Sequence, residues 1–155
     1  MKARYAILLV SLLVLAGPTS ASGASPFQPL VGRAFQGRSI VGAHGTHPVR
    51  HPADLQVSFR TAQPSGFGNV IPTLYWRSGC SGHEYLLFSA HHRLRAGEPL
   101  STEEPCIGQR HREEHWLVKF FAVDLDWSLR HGRLTLSSGP RRIVLVGKWL
   151  LRPSS

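Results

Sequence analysis

Apolar and polar residues alternate along much of this chain, which is the pattern of β-strands buried on one face. Leu55, Val57 and Phe59, for example, alternate with Gln56 and Ser58. The same pattern and short apolar runs predict further strands at 30–41, 70–77, 127–129, 134–136 and 143–146. The segments 85–90 and 92–95 indicate one strand that continues or bends, and Gly97-Glu98-Pro99 predicts a turn after it. Segments rich in Gly and Pro, such as 42–52 and 61–68, separate the strands as turns and loops.

The period changes at about 109–123, where Trp116, Phe120 and Phe121 fall on one face of a helix. We therefore predict an α+β fold: a β-rich single domain whose antiparallel, partly barrel-like sheet packs on one helix at about 109–123. Four large aromatic residues in these periodic segments are predicted to belong to the core or to a sheet face: Trp76, Trp116, Phe120 and Trp127.

The N-terminal segment is typical of a secretory signal peptide. Lys2 and Arg4 precede the apolar run AILLVSLLVLA, and small residues follow Pro18. A membrane span needs roughly 20 apolar residues, and this run is about half as long. We predict a signal peptide at 1–24, a mobile leader at 25–29, one domain at 30–150 and a polar tail at 151–155. The protein is expected to be secreted or periplasmic, without a Cys at the cleavage site for lipid attachment.

The formal net charge is +9, and loss of Lys2 and Arg4 with the signal peptide lowers it by two. Such a charge permits weak contact with anionic envelope polymers or lipid surfaces. The Arg residues are spread along the chain without a run of like charge, and no nucleic-acid-binding motif is present. We therefore expect a solvated basic surface and no nucleic-acid partner.

The chain has two cysteines, Cys80 and Cys106. An isolated pair in an oxidising compartment usually forms a disulfide. A metal pair or a nucleophile is the weaker interpretation, because the two residues are far apart in sequence and form no CxxC.

The order of the sequence motifs resembles the META domain of the HslJ-like family of bacterial envelope proteins. Five pieces carry the resemblance: 30–32 with Phe35, WRSGC at 76–80, TEEPC at 102–106, the helix at 113–121, and the closing strands at 127–136 and 143–146. Ser81 and Phe35 stand where the family usually has Asn and Trp. The resemblance implies a compact β-rich sheet on one helix, an envelope or stress-associated role, and no catalytic residues. It also places Cys80 and Cys106 as the family places its cysteine pair.

The segment HREEH at 111–115 fits H-x-x-E-H, a zinc-protease pattern with two His ligands and a general-base Glu. A catalytic zinc also needs a third protein ligand. No Glu follows Glu114, and the remaining candidates are Asp124, Asp126 and His131. Because Trp116 and Phe120 must be buried for the helix to dock, we expect His111, Glu114 and His115 to face solvent. HREEH is then part of a structural helix.

Two other candidates have weaker patterns. The loop residues His44, His47 and His51 could gather round Zn²⁺ or Cu²⁺, although three His in a polar loop are more often plain loop residues. Cys80 beside His83 could be a nucleophile with its base, but a disulfide explains the same Cys better.

These observations favour a secreted, noncatalytic META/HslJ-like protein without a cofactor or metal, whose ligand the sequence does not name. Two alternatives stay open. The first is a binding module for an anionic polymer or peptide, which a one-sided cluster of Arg on the folded surface would favour. The second is a metal-dependent hydrolase, which would need a third ligand close to His111 and His115.

Overall fold

A computed structural model of the protein describes residues 25–63, 71–79, 81–90, 93–102 and 106–148. The elements follow in this order: β1 (Ala34–Val41), β2 (Leu55–Ala62), β3 (Ile71–Ser78), β4 (Gly82–Ala90), β5 (Arg93–Thr102), α1 (Gly108–Phe121), β6 (Leu125–Arg130), β7 (Arg133–Ser138) and β8 (Arg141–Gly147). Two short 3₁₀ helices, Ala43–Gly45 and Pro52–Asp54, lie in the β1–β2 connection. The predicted β-rich α+β fold with one helix is confirmed.

The eight strands form a closed antiparallel barrel in which every strand pairs with its neighbours in sequence. Closure comes from β8, which pairs with β1 from Phe35↔Gly147 to Val41↔Arg142. The sequence predicts a sheet that is only partly barrel-like, because the period of one strand does not reveal which distant strand it pairs with. None of the helices in the described ranges has the length and apolar character that a bilayer crossing requires.

The inward positions of the strands fill the barrel with apolar side chains. An eight-stranded barrel has an interior just wide enough to be filled by side chains. Residues of β2 show the alternation, since Leu55, Val57 and Phe59 are buried and the residues between them are partly exposed. The helix α1 adds Leu117, Phe120 and Phe121, all fully buried, and the Phe121 ring stacks on Trp76 at 5.4 Å between centroids.

The four aromatic residues singled out from the sequence lie at two different depths. Trp76 and Phe120 are fully buried. Trp116 and Trp127 are partly buried and pack against the core from its edge. Trp116 stacks on Phe120 at 5.3 Å between centroids, so its ring covers the core instead of filling it.

The segment just before β1 is part of the fold. We predict 25–29 to be a mobile leader, yet Phe27 is buried and joins the core cluster. Successive turns fix the segment, with the amides of Leu30 and Val31 donating to the Phe27 carbonyl. The apolar Phe27 side chain within a Ser- and Pro-rich stretch is the physical reason, because its burial removes a large hydrophobic surface from water. The predicted signal peptide at 1–24 lies outside the described residues.

β1 is bent where the chain of the β1–β2 connection crosses it. Its register against β8 shifts between Gly37 and Ser39. The carbonyl of Pro52 packs directly on Gly37, where any Cβ would overlap it. Glycine at this position therefore lets the second 3₁₀ helix lie against the barrel wall.

One junction in the barrel has few paired residues. Among the described residues, β5 pairs with β6 at Arg93↔Asp126 and Leu94↔Leu125, whereas β1 and β2 pair at three positions and β2 and β3 at eight. Two exposed ion pairs cross the junction: Arg93 Nε lies 2.8 Å from Asp126, and Arg95 binds both Asp124 oxygens at 2.6 and 2.7 Å. The Arg95 hydrogen bonds lower the pKa of Asp124 below its ordinary value.

Truncation of the two helix aromatics should separate filling the core from covering it. Phe121→Ala empties a fully buried site against Trp76 and should lower the free energy of unfolding by roughly 3–5 kcal/mol. Trp116→Ala removes a partly buried ring and should cost less. Urea unfolding followed by Trp fluorescence and far-UV circular dichroism measures both. A larger loss for Trp116→Ala would contradict this packing of α1.

Candidate functional site

Glu114, the general-base position of HREEH, is turned into the barrel and not into solvent. Its Oε1 lies 2.8 Å from His83 Nε2 on β4, and the two side chains are 13% and 8% exposed. The expectation that Glu114 faces solvent is wrong, because its position on α1 is next to the buried stripe and β4 offers a ring nitrogen there. A carboxylate only accepts, so His83 Nε2 donates this bond.

The two His residues of HREEH point away from this pair. His111 and His115 are exposed, with parallel rings whose centroids are 6.3 Å apart. In the described part of the chain, no three His, Cys, Asp or Glu side chains come close enough to share a metal ion. Asp124 and Asp126, which the sequence leaves as possible third ligands, bind Arg95 and Arg93 instead.

The histidine loop of the β1–β2 connection is open to solvent. His44, His47 and His51 are all exposed. His44 has a φ of 57° within the first 3₁₀ helix, and the next residue, Gly45, also has positive φ. The backbone turns at these two residues. The structure does not bring the three His rings together.

Polar atoms line the inside of the barrel next to the His83–Glu114 pair. Ser81, His83 and Tyr85 occupy successive inward positions at the start of β4, and Trp76 pairs with His83 across the sheet. Trp76 and His83 stack at 4.2 Å. Burial raises the pKa of the Tyr85 hydroxyl above its ordinary value of 10.0, and the Trp76 indole partly opposes the rise.

His83 in this inward row anchors α1 through its hydrogen bond to Glu114. His83 Nδ1 and Ser81 Oγ are buried, and neither has a hydrogen-bond partner among the residues that the structure describes, so the two groups are not joined. Cys80, the other nucleophile candidate, lies outside the described residues. The geometry of His83 fits a structural role, because one ring nitrogen binds the helix and the ring stacks on the core Trp.

A different part of the molecule is chemically distinctive: the outer surface of five neighbouring strands. The strands β7, β8, β1, β2 and β3 are consecutive round the barrel and contain no Asp or Glu. They carry six Arg residues, and two further cations flank them: Arg38, Arg60, Arg77, Arg133, Arg141, Arg142, Arg33 and Lys148. We refer to this surface, with its flanking cations, as the acid-free face.

The acidic residues lie almost entirely elsewhere. Eight of the nine fall between Glu84 and Asp126, which covers β4, β5, α1 and β6, and Asp54 is the ninth. The three ion pairs of the described chain use His83, Arg93 and Arg95, and none uses a cation of the acid-free face. Among the described residues, the barrel therefore has a mainly positive side, with Asp54 at the start of β2 as its flanking acid, and a side on which charges of both signs occur.

Two concave pockets lie on the acid-free face. The first has a volume of about 380 Å³, and its lining includes Arg60, Tyr75, Arg77 and Lys148. The Arg60 guanidinium lies 5.2 Å above the centre of the Tyr75 ring, a cation–π contact that holds the Arg on the surface of the sheet. The far end of the Tyr75 ring covers Gly82 of β4, where a Cβ would come within 2.5 Å of its hydroxyl oxygen.

The second pocket adjoins the first at the barrel rim. Its volume is about 640 Å³, and it is lined by the turn before β1, the β6–β7 turn and the end of β8. Arg33, Arg133 and Lys148 supply its charge, and His131 also lines it. The floor includes bare backbone at Gly32, Gly132 and Gly147, and the Gly147 amide donates to the Gly132 carbonyl at 2.8 Å. Neither pocket is lined by an Asp or Glu.

Sequence reasoning alone missed this face. Along the chain the Arg residues look evenly spread, because the five acid-free strands come from both ends of the sequence and meet only when β8 pairs with β1. A usable indication was present in the acids, whose confinement to the stretch from Glu84 to Asp126, apart from Asp54, is visible in the sequence.

Comparison with known proteins gives the fold and no more. No protein-family model matches the chain, and no curated protein matches it. An NMR structure of a protein from Burkholderia xenovorans is similar over 85% of this chain and 97% of its own, with a TM-score of 0.60 and 15% identity. A second NMR structure is similar over 79% of this chain and 94% of its own, with a TM-score of 0.51 and 15% identity.

Substitution of Glu114 tests its role as an anchor. Glu114→Ala leaves the buried His83 Nε2 without a partner and should lower the free energy of unfolding by roughly 1–3 kcal/mol. Glu114→Gln keeps an oxygen that can accept from His83 and should cost less. Glu98→Ala, at an exposed position on β5, is the control and should have little effect. Urea unfolding measures all three variants, and equal stability of Glu114→Ala and wild type would refute the anchor.

Proposed function

We propose that this protein is an exported, noncatalytic binding module whose acid-free face binds an anionic polymer of the bacterial envelope. The observation that carries the proposal is the sorting of charge: five consecutive strands expose Arg without a single carboxylate. This is the one-sided clustering that separates a binding surface from a scattered basic surface.

The strength of such a face comes from the number of its charges. A single exposed ion pair contributes only about 0–1 kcal/mol, because water and salt screen it. Several cations that meet one polymer act together, and the polymer loses its orientational freedom only once. The expected complex is weak at each contact, strong as a whole and sensitive to salt.

The family resemblance supports the same proposal, because it implies a cellular compartment in which such a polymer occurs. A META/HslJ-like domain implies an envelope or stress-associated role, and the predicted signal peptide implies export to the compartment where anionic envelope polymers are found. We assign no catalytic residue and no cofactor. Glu114, which a metal-dependent hydrolase would need as its base, is engaged with His83.

We also propose the disulfide between Cys80 and Cys106. The residues next to both cysteines support it, because the backbone around Gly79 lies beside the Arg110 side chain, with Arg110 Nη1 3.6 Å from where a Cβ on Gly79 would be. The start of β4 and α1 are also joined by the His83–Glu114 pair. The bond would thus link the β3–β4 turn to the segment that leads into α1.

Alkylation measures the disulfide directly. Freshly secreted protein should react with no alkylating reagent until it is reduced, and should then gain two labels by intact mass. The Cys80→Ser/Cys106→Ser variant should lose roughly 2–5 kcal/mol of stability, the usual cost of removing a native disulfide. Two reactive thiols in the native secreted protein would exclude the bond.

Two charge-matched double variants test the acid-free face. Arg60→Gln/Arg77→Gln removes two cations from the face, and Arg112→Gln/Lys119→Gln removes two exposed cations from α1. Binding of long-chain polyphosphate should be about 10-fold weaker for the first variant, since two lost contacts of about 0.7 kcal/mol each sum to about 1.4 kcal/mol, and nearly unchanged for the second. Isothermal titration calorimetry at 50 and 150 mM salt measures both.

The control variant defines the outcome that contradicts the proposal. Equal weakening by the two double variants would mean that the polymer responds to the net charge of the protein and not to the face. Absence of polyphosphate binding by the wild-type protein even at 50 mM salt would exclude the polymer-binding function itself.

A further inference from the structure

The two pockets of the acid-free face are parts of one depression. They share three lining residues, Ala34, Phe35 and Lys148. Lys148 follows β8 directly, and its backbone amide donates to the Ala34 carbonyl at 2.9 Å, so its position is fixed between β8 and β1. Its side chain, which is exposed, lines both pockets at their junction.

The depression crosses the strands from β3 to β7, and its first pocket also extends along β2 from Gln56 to Arg60. Its lining passes from Arg77 on β3 through Arg60 on β2 and Lys148 beside β1 to Arg133 on β7. From β3 through β2, β1 and β8 to β7 there are four interstrand spacings of ~4.8 Å each, so the depression is ~19 Å long across the sheet. We refer to it as the Lys148 groove, formed by the lining residues of the two pockets. One small anion cannot contact cations at both ends of a groove of this length.

We propose that the Lys148 groove binds one linear oxyanion polymer chain, with separate anionic groups of that chain in the two pockets and Lys148 contacting the stretch of chain between them. This inference rests on the proposed function and specifies its ligand. Pockets of about 380 and 640 Å³ are in the range that holds a small organic unit as well as its charge. Arg60 and Arg77 bind the oxyanion in the first pocket, and Arg33 and Arg133 bind it in the second.

The groove is unsuited to a nucleic acid. Proteins that bind single strands combine cations with exposed aromatic rings on which bases stack. Tyr75 is the aromatic residue of the groove that is not fully buried, and the Arg60 guanidinium lies over its ring. The bare backbone of Gly32 and Gly132 in the second pocket instead leaves room for a compact unit to approach the rim.

A series of ligand lengths tests whether one chain spans both pockets. Calorimetry would compare inorganic phosphate, tripolyphosphate and long-chain polyphosphate with oligogalacturonates of matched length, all at equal concentrations of charged groups. Wild-type protein should bind the long phosphate chain at least 10-fold more tightly than tripolyphosphate, because the second contact becomes intramolecular. The galacturonate arm decides whether phosphate or carboxylate is the preferred oxyanion.

Three variants identify the groove as the cause of the length dependence. Arg60→Gln/Arg77→Gln disables the first pocket, and Arg33→Gln/Arg133→Gln disables the second. In either double variant, the affinity for long-chain polyphosphate should fall close to the affinity for tripolyphosphate. Tripolyphosphate should still bind in the pocket that the variant leaves intact. Lys148→Gln should weaken the long chain about fivefold and tripolyphosphate less. Arg112→Gln/Lys119→Gln again serves as the matched control.

The outcomes separate the groove from the general binding function. If the long chain keeps its full advantage in both pocket variants, the groove is wrong, although the acid-free face still binds polyanions. If wild-type protein binds no polyanion, the proposed function fails and the groove with it. Tighter binding of an oligothymidylate than of polyphosphate with the same charge would overturn the ligand class.

Discussion

Pairing of β1 with β8 is the interaction on which the other features of this protein depend. It joins the two ends of the described chain, closes the sheet and removes the free edges that an open eight-stranded sheet would expose. Closure also fixes which side of every strand faces inward. The inward residues of the strands and the buried residues of α1 then form one common core.

The described inward side chains are mostly apolar, and the two concave pockets described above lie on the outer wall and at the rim. The buried row from Ser81 to Tyr85 holds α1 in place through His83 and Glu114, and it uses the one carboxylate that a zinc protease would have needed. The same pairing of β1 and β8 gathers Arg residues from both ends of the sequence onto one surface. The anchor and the binding face are therefore two results of a single topology, on different parts of the barrel.

The sequence predicts the local elements well and their long-range relations poorly. The alternation in β2 and the aromatic spacing in α1 are local properties, and the helix at 109–123 differs from Gly108–Phe121 by only one or two residues at each end. The sequence predicts one continuing or bent strand over 85–95 and then a turn at 97–99. Both predictions are wrong, because β4 ends at Ala90 and the antiparallel strand β5 runs from Arg93 to Thr102 through Gly97 and Pro99. Those residues are tolerated because only β4 pairs with that stretch.

The site was harder to predict for the same physical reason. The orientation of Glu114 depends on where β4 places His83, 31 positions earlier in the chain, and no periodicity within α1 contains that information. The burial of Phe27 likewise depends on a core assembled from later residues. The charged face depends on strand order, which the sequence indicated only through the positions of its acids.

The short β5–β6 junction has a consequence for how the molecule opens. Opening free energies vary across a protein, and regions with few paired backbone groups open first. With two residue pairs and two exposed ion pairs, this junction is the place where the barrel can part into a curled sheet without global unfolding. It lies outside the five strands of the acid-free face. Amides of β5 and β6 would then exchange with solvent before those of β2 and β3, which pair over eight positions, so the β2–β3 part of the acid-free face keeps its shape while the junction opens.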